Sequence, residues 1–235
     1  LTITTRMFER PLTRVRSAGR KKETEARKPG DGSQKTEARR RKQGERRRGL
    51  DSRLLLRQRF RCALCQPEGR GCQTCSAGIR LLVQKGISDR FVATITASFE
   101  ALKVGTPEMD LDCGPMINAK QHSKVSSFIA EAVGMGVPKL AEGSLAPGIP
   151  DKGYFVKPVL FGPVPREHCL ACQEVFGPVL SVMPFTDEDD AVQLANATDY
   201  GLVAGVWTEN GSRQARLAQR IASGQVFINC YGAGG

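Results

Sequence analysis

From Arg80 onward, short apolar runs alternate with segments in which apolar residues recur at helical spacing. "RLLV" (80–83) is a β-rich run ended by Lys85-Gly86. In "SDRFVATITASFEALKVG", Phe91, Ile95, Phe99 and Leu102 fall on one helical face, with Ser88 as the predicted N-cap. A Pro/Gly/Asp-rich stretch from Thr106 to Pro115 breaks the chain. A second helix follows, with Val125, Phe128, Ile129 and Ala132 on one face and Gly134 and Gly136 closing it. "GYFVKPVLF" and "GPVLSVMPF" read as strands, the first bent or at an edge because of Pro158. "DEDDAVQLANAT" carries acids where they complement a helix dipole. "LVAGVWT", "SRQARLAQRI" and "GQVFIN" repeat strand, helix, strand. This alternation predicts an α/β fold with a mostly parallel sheet joined by crossover helices.

Charge divides the chain. Residues 1–70 hold 22 of the 35 Lys and Arg against 8 of the 24 Asp and Glu, whereas residues 71–235 are slightly acidic. "RKKETEARKPGDGSQKTEARRRKQGERRRG" (20–49) has almost nothing to anchor a core, so residues 1–71 are expected to be a basic, low-complexity segment, disordered or mistranslated. A nucleic-acid tether is the functional alternative. It lacks interleaved aromatics and a recognised module, so nucleic acid is not the expected partner. Glu9, Glu23 and Glu25 weigh against a transit peptide. No apolar run approaches the roughly 20 residues of a membrane span. Neither a membrane nor a secretory route is expected, and eight cysteines then suggest reduced thiols in the cytoplasm. The start at Leu1 rather than Met suggests a fragment.

The cysteines admit three readings. Cys62, Cys65, Cys72 and Cys75 form C-x2-C-x6-C-x2-C, with Cys169 and Cys172 as a further pair. Thiolate pairs can grip zinc, but the middle gap is shorter than in zinc ribbons, and no metal is expected. A redox pair needs C-x-x-C opening a helix, whereas Cys75 leads into a strand. Burial as a small hydrophobe is the expected fate of Cys113, Cys169, Cys172 and Cys230.

Cys75 is set apart by its surroundings. "QTCSAGIR", "EVFGPV", "CGPMINAKQ", "GYFVKPVLF", "ANATDYGLVAGVWT" and "SGQVFINCYGAGG" together resemble, in the same order, segments of the aldehyde dehydrogenase superfamily. The resemblance runs from Cys72 to Gly235 and implies a truncated catalytic domain over 72–235. It implies that Cys75 is the nucleophile in NAD(P)-dependent oxidation of a small-molecule aldehyde to its acid, through a thiohemiacetal and a thioester. It further implies that Glu174 bonds the nicotinamide ribose of NAD or NADP, that Phe176 packs beside the nicotinamide, and that the intact family forms homo-oligomers.

The chain also departs from the pattern. Cys72 stands where glycine is expected, and Ile79 where serine is common. Residues 1–70 contain neither a strand–glycine-loop–helix unit nor the family's oxyanion-binding Asn and general-base segment, so weak activity is expected of this chain. "CALCQPEGRG" back-translates, after a one-base shift, to a family-like lead-in, suggesting a frameshift or an unspliced intron.

Overall fold

Strand β2 (Arg80–Gln84) divides its side chains between two cores, and that division organises the fold. Leu82 enters one apolar cluster, while Leu81 and Val83 enter the other. Strand β7 (Val179–Phe185) does the same, with Val179, Met183 and Phe185 on the first side and Leu180 and Val182 on the second. This two-residue alternation with both faces buried is what a sheet covered by helices on each side requires. The computed structural model describes residues 73–230 and the backbone of Thr2–Thr5. Cys62, Cys65, Cys72 and the basic run 20–49 lie outside the described residues.

Seven strands form the main sheet: β1 (Thr2–Thr5), β2, β4 (Lys139–Glu142), β6 (Val159–Phe161), β7, β8 (Val203–Trp207) and β9 (Gln225–Ile228). Their order is β4-β6-β7-β2-β1-β8-β9. β6, β7 and β2 run parallel, as do β8 and β9, whereas β1 is antiparallel to both its neighbours and β4 to β6. The α/β class is as expected, but the sheet is mixed, with two of seven strands opposed to the rest. β1 also lies within the segment expected to lack structure, and it fills an interior slot between β2 and β8. "TITT" is rich in β-branched residues, but alone it is too short to reveal its partners. A separate two-stranded sheet pairs β3 (Lys103–Val104) with β5 (Ser144–Leu145).

Helix α1 (Lys85–Glu100) lays Ile95 and Phe99 on the second cluster, with Phe91 partly buried beside them. It begins directly after β2, so Ser88 lies inside it, and Gln84 at the cap makes no side-chain cap bond. Packing, not a capping residue, sets this start. Helix α2 (Ala119–Gly134) covers the first cluster with Val125, Phe128 and Ala132 and ends before Gly136, whose φ is 73°. The short turn α3 (Cys169–Cys172), helix α4 (Glu188–Ala195) and helix α5 (Gly211–Arg220) share that face, contributing Leu170, Ala191 and Leu217 among others. The predicted strand across 153–161 shrinks to its last three residues, because Pro158 offers no N–H to a ladder.

Candidate active site

The loops leading into β2 and β7 lie side by side. Arg80 pairs with Ser181 in the parallel ladder, and Cys75 and Phe176 each stand five residues ahead of that pair. Neighbouring strands are about 4.8 Å apart, so both loops leave the sheet at adjacent positions on one edge. This is the amino edge of the two strands, not the carboxyl-end crevice usual for open α/β sheets.

Cys75 sits in a tight turn closed by the Ala77 N–H donating to the Thr74 carbonyl at 2.9 Å. The thiol is free and exposed, and Ala77, Gly78 and Ile79 behind it are buried as the chain descends into β2. The small Ala77 and Gly78 let the turn press against the core while the sulfur faces outward. The Cys75 N–H makes no hydrogen bond among the described residues.

The first turn of α2 ties both loops together. The Gln73 Oε1 accepts from the Ile117 N–H at 2.7 Å. Asn118 caps the helix, its Oδ1 accepting from the Gln121 N–H at 2.9 Å. The Gln121 Nε2 then donates to the carbonyls of Val175 and Phe176, at 3.1 and 3.0 Å. One turn further along, Lys124 Nζ donates to the Glu174 carbonyl at 3.1 Å. The spacing of Gln121 and Lys124 puts both on one face of the helix. A continuous run of bonds thus links the segment beside Cys75 to the turn holding Glu174 and Phe176.

That turn is sharply formed. Phe176 has φ 57°, unusual for a bulky residue, and the two Gln121 bonds help hold it there. The next residue, Gly177, packs so closely on α2 that a Cβ would lie 2.6 Å from Val125 Cγ2. Phe176 is half-buried. Glu174 is also half-buried, and burial pushes its carboxyl above the ordinary carboxylate value, opposed by the charge of Lys124. Its carboxylate has no hydrogen-bond partner among the described residues. A wet acceptor beside an aromatic ring is a donor-seeking pair of the kind that suits a ribose and a flat heterocycle.

Beneath this edge lies an unanticipated polar floor. Arg80 is 1% exposed, and its Nη2 donates to the Leu194 carbonyl, while Nε and Nη1 lack partners among the described residues. Burial brings its guanidinium down to about 10, so it remains charged at neutral pH. Ser181 Oγ donates to the Leu170 carbonyl at 3.1 Å, holding α3 onto β7.

Sequence patterns singled out Cys75, Glu174 and Phe176 but gave no role to Gln121 or Lys124, although "CGPMINAKQ" ends at Gln121. Gln73 lay in the quoted cysteine segment without a role as well. Of the four cysteines expected to be buried, Cys113 is buried, but Cys169, Cys172 and Cys230 are partly exposed. Among the described residues, no group of three or more His, Cys, Asp and Glu is placed to hold a metal ion. Nor is any described helix long and apolar enough to cross a membrane.

Comparison with known proteins locates the chain. Residues 69–235 match the aldehyde dehydrogenase family. A betaine aldehyde dehydrogenase of Rhizobium etli is 38% identical over 161 residues, covering 68% of this chain and 33% of the relative. A crystal structure from Burkholderia cenocepacia, described as an aldehyde dehydrogenase, superposes with a TM-score of 0.73 at 48% identity, covering 77% of this chain and 37% of that one. The betaine aldehyde dehydrogenase of Staphylococcus aureus, solved in complex with NAD+, gives 0.67 at 28% identity, covering 77% and 36%. The chain spans about a third of the length of the curated relatives it matches.

Proposed function

We propose, on the premise that this chain belongs to the aldehyde dehydrogenase family, that it supplies the thiol and nicotinamide-side part of a site oxidising an aldehyde to its acid. Cys75 is the nucleophile. As the thiolate it attacks the aldehyde carbon, giving a tetrahedral thiohemiacetal whose oxygen carries the developing negative charge. The Cys75 N–H, which makes no hydrogen bond to the described residues, is a donor for that oxygen. A bound NAD(P)+ would accept the two electrons that convert this adduct to a thioester, which water then hydrolyses.

The chain's own residues position these groups. Glu174 would accept from the ribose hydroxyls of the nicotinamide half, and Phe176 would offer its ring to the nicotinamide face. Gln121 and Lys124 keep the turn that bears them against α2. The observation that carries this reading is the shared attachment of the Cys75 and Phe176 loops to one helix start. The reaction belongs to a cytoplasmic setting, where a free thiol stays reduced.

The test is protection of the thiol. Cleavage after Arg70 and Arg80 isolates "GCQTCSAGIR", which holds Cys72 and Cys75, so fragment masses within that one peptide tell alkylation of Cys75 from alkylation of Cys72. Iodoacetamide should label Cys75 ahead of Cys113, and a small aldehyde should slow that labelling, most strongly with NAD+ present. Unchanged labelling across aldehydes of differing size and charge would rule the reading out.

A further inference from the structure

We propose that Cys169 and Cys172 form a reversible dithiol–disulfide site that exchanges with low-molecular-weight disulfides. The site lies outside the proposed chemistry at Cys75, and the reading at Cys75 does not use it.

The two residues begin and end the single turn α3, and both thiols are free and partly exposed. Residues three apart in a helical turn hold their Cβ atoms about 5–6 Å apart. A disulfide needs roughly 3.5–4.5 Å, so closure demands a shift of about 1–2 Å within one turn. The turn can tighten, because the chain becomes extended at Gln173, immediately after it. Although His168 and Glu131 lie beside Cys169, no group of three or more His, Cys, Asp and Glu is arranged to hold a metal ion among the described residues.

The surroundings give the two sulfurs different parts. Cys172 Sγ lies 3.2 Å from the Arg166 carbonyl and within electrostatic reach of the Arg80 guanidinium. That guanidinium is buried, and its Nε and Nη1 are without partners among the described residues. A buried positive charge thus lies near the Cys172 sulfur. The Cys169 thiol donates a hydrogen bond to the Glu131 carboxylate, and its Sγ lies 3.6 Å from His168 Nδ1. Burial first, then Glu131, push its thiol up to about 11, so it keeps its proton at neutral pH.

The exchange runs in two steps. The Cys172 thiolate attacks one sulfur of the small disulfide. The S–S bond breaks, and one small thiolate leaves and takes a proton from water. The Cys169 sulfur then attacks that of Cys172, expelling the second small thiolate, and the Cys169 proton passes by way of Glu131 to that thiolate. Two protein thiols are oxidised, and one small disulfide is reduced to two thiols. Closure tightens α3, which leads through Gln173 directly into Glu174, so the turn beside Cys75 shifts with it.

Trypsin gives a direct assay, because residues 167–213 form one peptide holding only these two cysteines. The folded full chain is equilibrated with reduced and oxidised glutathione, then alkylated and digested. Closure leaves that peptide about 2 Da lighter and closed to alkylation, and dithiothreitol reverses both changes. Cys169→Ser should trap one glutathione on Cys172, whereas Cys172→Ser should leave Cys169 alkylatable. The proposal is overturned if wild-type peptide 167–213 stays fully alkylatable in oxidised glutathione, or if it retains an unclosed glutathione adduct. Mass is the readout, so failure here leaves the reading at Cys75 untouched.

Discussion

Replacing Gly177 with alanine tests whether the Phe176 turn is held by close contact with α2. The added Cβ would meet Val125 Cγ2 at 2.6 Å and Cγ1 at 3.0 Å. Val125 is fully buried on the helix and cannot swing aside, since a β-branched residue has essentially one helical rotamer. The turn or the helix must move, at a cost of about 1–3 kcal/mol for overpacking. Val125→Ala alone should cost about 2–3 kcal/mol through lost burial and a small cavity. The double variant removes the clash, so its cost should fall short of the sum by about 1–2 kcal/mol. Urea denaturation followed by circular dichroism reads this as a shift in midpoint at constant slope. Labelling of Cys75 in the presence of NAD+ should also lose its aldehyde protection in Gly177→Ala. A neutral Gly177→Ala, or strict additivity with Val125→Ala, would show that the turn is not pinned there.

Two further outcomes follow from the same geometry. Glu174 titrates above the ordinary carboxylate value, chiefly through burial. The folded state therefore binds that proton more tightly than the unfolded one, and stability falls as pH rises from the ordinary carboxylate range through the raised value. Glu174→Gln should flatten that part of the stability profile, measured as urea midpoints between roughly pH 4 and pH 8, and an unchanged slope would refute the burial argument. Deleting residues 1–10 removes β1 and opens an edge on both β2 and β8. The shortened chain should unfold at lower urea and self-associate in light scattering, and an equally stable monomer would show that β1 contributes nothing.

Much of this protein was legible in its sequence. The apolar spacing of Ile95 and Phe99, and of Val125, Phe128 and Ala132, marked two helices whose buried faces are the predicted ones. Runs such as "RLLV" and "GPVLSVMPF" marked strands, and the words around Cys75 and Glu174 marked the family. These signals are local: a helical face, a strand alternation or a motif is complete within a few residues. Other features needed a partner brought from far along the chain. Only pairing with both β2 and β8 makes an interior strand of "TITT". Only burial, with a hydrogen bond to the Leu194 carbonyl, turns Arg80, the first residue of an apolar run, into a charged floor. Cys75 and Phe176 are 101 residues apart in sequence, and it is the parallel register of β2 with β7, with Gln121 reaching across, that sets their loops side by side.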